Sequence, residues 1–97
     1  MKSKNKDMVR NIHHQIKQQL SYMKYVYENR EEFPELNTNM QFYEIRATLR
    51  TLFLCGFITE RKCEKMTAMM AEMDRRVYNG DKWKKLYYKF KAYIYFM

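Results

Sequence analysis

Glycine and proline are nearly missing from this 97-residue chain, which has two Gly and one Pro. So few turn-forming residues exclude a multi-strand β-sandwich and a glycine-rich nucleotide-binding loop. Two cysteines are too few for a small disulfide scaffold. Serine occurs only at Ser3 and Ser21, which leaves no Ser–His–acid arrangement for acyl transfer. Long apolar runs are lacking as well. The longest, 52–58 counting Gly56, is seven residues, where a membrane crossing needs ~20. The charged start, Met1 to Asp7, is not followed by the apolar stretch of a secretory signal. A cytoplasmic protein with reduced Cys55 and Cys63 is expected, both thiols packed as small apolar groups in a helical hairpin.

What the chain has in quantity is positive charge and aromatic rings. Lys and Arg number 19 against 11 Asp and Glu, a net +8, and 16% of residues are Phe, Trp or Tyr. The charge is unevenly spread. Residues 1–30 carry +5, residues 31–44 carry −4 and residues 81–97 carry +4. The length suits one domain, with a core too small for a deep catalytic cavity.

Helical spacing runs through most of the sequence. Val9, Ile12, Ile16, Leu20, Met23 and Tyr27 recur at steps of three and four and share one face. After a loop around Pro34, Thr38 and Gln41 are spaced as a capping box for a second helix. Its face is Phe42, Ile45, Leu49 and Leu52, and the all-round apolar end at Leu52–Cys55 is expected at the centre of the core. Gly56 can close that helix, and Thr59 can cap the next, with Ile58 and Cys63 at staple spacing. Cys63, Met66, Met70, Met73 and Val77 then form a seam that suits core packing, or an adaptable groove for a partner. Asn79-Gly80 ends this helix, and Asp81 can cap a fourth.

The last segment has two periods. Trp83, Leu86, Tyr87, Phe90, Ile94 and Met97 form one helical face, but residues 88–96 also alternate in the manner of a strand. A lone strand has no pairing partner in a helical chain, so helix is favoured. The expected fold is therefore all-α: one domain of residues 1–97, a small bundle of about four helices. A hairpin of 38–56 with 59–79 stands at its centre, 86–97 has strand as the alternative, and residues 1–6 form a flexible basic arm.

Catalytic and metal-binding groups do not assemble on these patterns. His13 and His14 are adjacent, so on a helix they diverge by ~100° and cannot share one metal. No catalytic residue, metal or cofactor is expected, and no small-molecule substrate. The best site is a row on the last helix, Lys84, Tyr88, Lys91 and Tyr95, on the side away from the core, with Lys85 and Lys89 nearby. Lysines neutralise phosphates, and tyrosine rings stack on unpaired bases. Lys2, Lys4, Lys6 and Arg10 would add a basic arm. The same mixture of Lys and Tyr also suits a protein interface.

The stretch Thr51-Leu52-Phe53-Leu54-Cys55-Gly56-Phe57-Ile58-Thr59-Glu60 resembles a helix–Gly-x-Ile-Thr–helix joint of short bacterial and phage proteins, a likeness that capping explains and that implies no activity. The bias to Lys, Asn, Ile and Tyr suggests an AT-rich genome, and the chain resembles phage or mobile-element cargo in style. The functional expectation is a non-catalytic binding or inhibitor protein, of an anti-defence kind, that docks on a host protein or nucleoprotein complex. The alternative is direct binding of DNA or RNA, with a homodimer as one form. A membrane-surface role is disfavoured, because the apolar face is needed for the core.

Overall fold

Four helices make up the computed structural model, which describes residues 2–95 and their side chains from Lys6 onward. They are α1 (Lys2–Asn29), α2 (Asn39–Leu54), α3 (Glu60–Tyr78) and α4 (Lys84–Tyr95). Each packs on the next in sequence and α4 closes back on α1, an up-down-up-down bundle. At ~1.5 Å per residue α1 is ~42 Å long, and it sets the 47 Å long axis of the molecule. Residues 2–6, expected as an arm, continue α1 as helix. The side chains of Lys2 and Lys4 lie outside the described ones, as does Met97.

No strand occurs among the described residues, and the last segment is helical through Tyr95. Burial decides between its two periods. Tyr87, Phe90 and Ile94, at steps of three and four, are all buried. The alternating set instead mixes buried Phe90 and Ile94 with exposed Tyr88 and Ala92.

The core draws on every helix: Ile16, Leu20, Met23 and Tyr27 from α1, Ile45, Leu49 and Leu52 from α2, and the stripe on α4. From α3 come Met66, Met70 and Met73, each fully buried, with Met69 and Val77 beside them. The methionine seam is therefore core and presents no groove. The end of α2 departs from expectation. Leu52 is buried, but Leu54 is 70% exposed and Cys55 is exposed. An all-round apolar run at the end of a helix meets neighbours only on the side that faces the bundle, so half of it stays in water. Cys63 does pack partly against the core, whereas Cys55 does not.

Both ends of α3 are joined by well-formed caps. After α2, Gly56 adopts φ +83°, its N–H donates to the Phe53 carbonyl (3.0 Å), and Phe57 N–H donates to Leu52 (2.8 Å). After α3, Gly80 (φ +78°) donates to Val77 (3.1 Å), and Asp81 N–H donates to Arg76 (2.7 Å). Each is a Schellman closure, which needs a left-handed residue that glycine supplies without strain. Asp81 completes this closure instead of capping α4, where the carbonyl of Trp83, the residue before the helix, accepts from Tyr87 N–H at 3.0 Å. Thr59 caps α3 as expected, accepting from Lys62 N–H at 3.1 Å.

Thr38 does not form its capping box. Its hydroxyl donates to Asp74 Oδ1 of α3 at 3.0 Å, and Gln41 Oε1 is buried without a partner. Asn37 takes over locally, accepting from Asn39 N–H at 3.2 Å. Tyr27 Oη donates to the same Asp74 oxygen, so one carboxylate ties α1, the start of α2 and α3 together.

Burial, and then the bond to Asp74, push the Tyr27 phenol well above its ordinary value near 10.0. The unfolded chain therefore ionises Tyr27 near pH 10 while the folded chain keeps its proton. Stability from this group is complete below pH ~10 and declines above it. Tyr27→Phe removes a hydrogen bond to a charged acceptor, an expected loss of about 1.5–3 kcal/mol at neutral pH. It also flattens the alkaline fall in melting temperature. Thermal melts of both proteins from pH 7 to 11 check this, and parallel alkaline limbs would contradict it.

Candidate functional site

The site begins with the polarity of α4. Its apolar stripe faces inward, so Lys84, Lys85, Tyr88, Lys89, Lys91 and Tyr95 are left exposed. These six do not form one patch. Tyr88 and Lys91 border a groove shared with α1, whose other walls are Ser21, Lys24, Tyr25 and Glu28. Tyr95 turns the same way, with Lys17 Nζ 5.1 Å from its ring centroid. The row 84-88-91-95, expected on the side away from the core, thus lies along the α1 flank. Lys89 lies on the opposite flank, in a hollow with Lys62 and Tyr93. Lys85 falls between the two flanks by helical register.

Sequence reasoning missed the α1 half of this groove. Lys6, Arg10, His13 and Lys17 are spaced four, three and four apart, with Lys24 seven further on, so they form one line on α1. The line was visible in the spacing but was broken by reading the first cations as an arm. Its members differ in state. Lys6 and Arg10 are exposed, whereas His13 and Lys17 are half-buried. Burial, then the charge of Lys17, hold His13 below its ordinary 6.5, which leaves it neutral at pH 7. The line extends over ~27 Å from Lys6 to Lys24 at ~1.5 Å per residue.

Pairing sorts the cations of the bundle into two groups. On α3, Glu72 takes Arg76 (2.9 Å) and Arg75 (2.6 Å), and their hydrogen bonds hold its carboxyl down at about 2. Arg76 stands four residues after Glu72, the favourable order on a helix, and Arg75 adds a second cation. On α1, Lys24 pairs with Glu28 at 3.4 Å. Among the described residues, no carboxylate lies within 4.0 Å of Lys17, Lys82, Lys84, Lys85, Lys89 or Lys91. An unpaired lysine retains its full charge for a partner.

The rings in the groove are held by their neighbours. Tyr88 is 53% exposed and stands edge-on to Tyr87, with centroids 5.3 Å apart. Tyr25 and Tyr95 are 51% and 66% exposed. The face therefore offers flat apolar surfaces between positive charges, which suits a polyanion that carries rings of its own.

Among the described residues, no three His, Cys, Asp or Glu side chains stand close enough to hold a metal ion. His14 accompanies Gln18 at 3.2 Å and His13 sits one step round the helix. No described helix is long and apolar enough to cross a membrane. No protein-family model, curated protein or solved structure matches this chain. The residues themselves are the basis for a functional reading.

Proposed function

We propose that this chain is a non-catalytic binding protein that docks on a nucleic-acid-handling complex through the α1/α4 face, which meets the protein of that complex and its nucleic acid together. The observation that carries the reading is the set of lysines on α4 that have no carboxylate in reach and lie beside exposed tyrosine rings. Each lysine placed on a phosphate releases condensed counterions, and each ring offers a stacking surface to a base. A chain of this kind acts as an inhibitor or adaptor: it occupies a surface and performs no reaction. A phage or mobile-element role against a host defence complex fits that mode of action.

Direct binding of DNA or RNA without a protein intermediary is the second reading, favoured by the length of the basic line on α1. Two measurements separate them. Labelled oligonucleotides titrated in a salt series should bind tightly at ~50 mM salt and weaken steeply toward ~200 mM. Capture from host lysate, with and without nuclease, should retain a protein partner after digestion if a nucleoprotein is the target. Loss of every partner on digestion leaves only the direct reading. No oligonucleotide binding at ~50 mM salt eliminates nucleic acid as the contact.

A further inference from the structure

Lys89 was expected in one patch with the other α4 residues and lies instead among cations of α3. Lys65 Nζ is 5.1 Å and Lys62 Nζ 6.0 Å from the centroid of the Tyr93 ring. Lys89, one turn before Tyr93, lines the same hollow of about 390 Å³. Among the described residues, no carboxylate is paired with any of the three. The nearby acids of α3, Glu60 and Glu64, line the groove toward α2 instead. The hydrogen bond from Lys65, together with the charges of all three lysines, holds the Tyr93 hydroxyl below its ordinary value, an electrostatic sign that their fields converge. Like charges held together repel, and an anion between them removes that repulsion.

This second cluster stands across α4 from the first. α4 thus has lysines on both flanks, toward α1 and toward α3, and no acid between Lys82 and Tyr95. A helix with its side chains is about 10–12 Å across. The major groove of a duplex is ~12 Å wide and is bordered by phosphates of both strands. A single strand has only one backbone and can follow only one flank.

We propose that Lys62, Lys65, Lys89 and Tyr93 form a second phosphate-binding site, which makes duplex nucleic acid the ligand, with α4 edge-on to the groove and one strand's phosphates on each flank. The proposal rests on the reading of the α1/α4 face as a nucleic-acid contact and specifies what that contact takes. Tyr93 donates its hydroxyl to a phosphate oxygen, and the three ammonium groups neutralise the adjoining charge.

The test compares a labelled 20-base-pair duplex with a labelled 20-nucleotide single strand, each titrated with protein from ~50 to ~200 mM salt. Lys62→Gln/Lys65→Gln/Lys89→Gln is set beside wild type and beside Lys17→Gln/Lys84→Gln/Lys91→Gln, with helicity checked by circular dichroism. Lys65, Lys84, Lys89 and Lys91 are exposed and Lys17 and Lys62 half-buried, and glutamine keeps a polar end on a shorter stem with helix propensity close to that of lysine. The α3/α4 variant should flatten the duplex plot of log affinity against log salt by about 2 to 3 units, near 0.9 per lost phosphate contact, and leave the single-strand plot unchanged. The α1/α4 variant should flatten both. A wild-type slope for the α3/α4 variant on duplex overturns the second site while leaving the first intact. Equal flattening on duplex and single strand overturns the assignment to a duplex. Failure of wild type to bind either oligonucleotide overturns this proposal together with the reading beneath it.

Discussion

Replacing Lys84 and Lys91 by Gln and Tyr88 and Tyr95 by Ala lowers affinity for nucleic acid at ~50 mM salt by at least about a thousandfold, with helical circular dichroism unchanged. The two lysines account for about two orders of magnitude at that salt, through counterion release that disappears as salt is raised. The two rings contribute ~1–3 kcal/mol each through stacking, a contribution insensitive to salt. The halves of the variant are therefore separable. Lys84→Gln/Lys91→Gln should converge on wild type at high salt, while Tyr88→Ala/Tyr95→Ala should run parallel below it. Helicity should persist because Lys84, Tyr88, Lys91 and Tyr95 are exposed and lie off the buried stripe. Fluorescence anisotropy over a salt series measures this. A fourfold variant that binds within about threefold of wild type would remove this edge of α4 from the interface.

Phe90→Ala should have the largest effect on the fold. Phe90 is fully buried on α4 and packs in the common core. Truncating a buried Phe to Ala costs about 3–5 kcal/mol, a large part of the ~5–15 kcal/mol that holds a domain together. For a domain of this size, a loss of 3 kcal/mol lowers the melting temperature by about 12 °C or more. The consequence reaches the site, because α4 has only 12 residues. A helix that short is marginal alone in water and is held by the face it buries. Loss of Phe90 therefore loosens the row that carries the lysines, and binding should fall with stability. Thermal melts followed by circular dichroism test this. A drop below about 5 °C would mean that α4 is not anchored through Phe90.

Much of the bundle was legible because apolar residues at steps of three and four identify an inward face without knowledge of the neighbours. Ile16, Leu20, Met23 and Tyr27 were read from spacing and are buried, as are Ile45, Leu49 and Leu52. The turn at Gly56 and Thr59 was equally clear, because capping chemistry is local. What spacing could not supply was the extent of a neighbour. Leu54 and Cys55 look central on composition, yet they lie where α2 ends and nothing covers their outer side. Thr38 failed in the opposite direction. A local capping partner was expected, but Asp74, 36 residues away, offered a charged acceptor.

The site followed the same pattern. The exposed row on α4 was readable from its own helical wheel, which places residues only about their own axis. Which flank met α1 and which met α3 depends on how the helices close in a ring. Lys17 and Lys24 therefore went unnoticed, and Lys89 was grouped with residues on the far flank.

The methionine seam of α3 has a chemical consequence. Met23, Met66, Met70 and Met73 are fully buried, while Met8 and Met40 are 43% and 67% exposed. Oxidation converts a thioether into a polar, chiral sulfoxide that an apolar interior cannot accommodate. In the folded chain the outer methionines meet an oxidant first and can take up oxygen without loss of packing. A single sulfoxide in the seam would instead place an unpaired polar group where α3 meets the rest of the core, and re-formation of the bundle would be opposed. The bundle thus protects its own interior from oxidation only for as long as it stays closed.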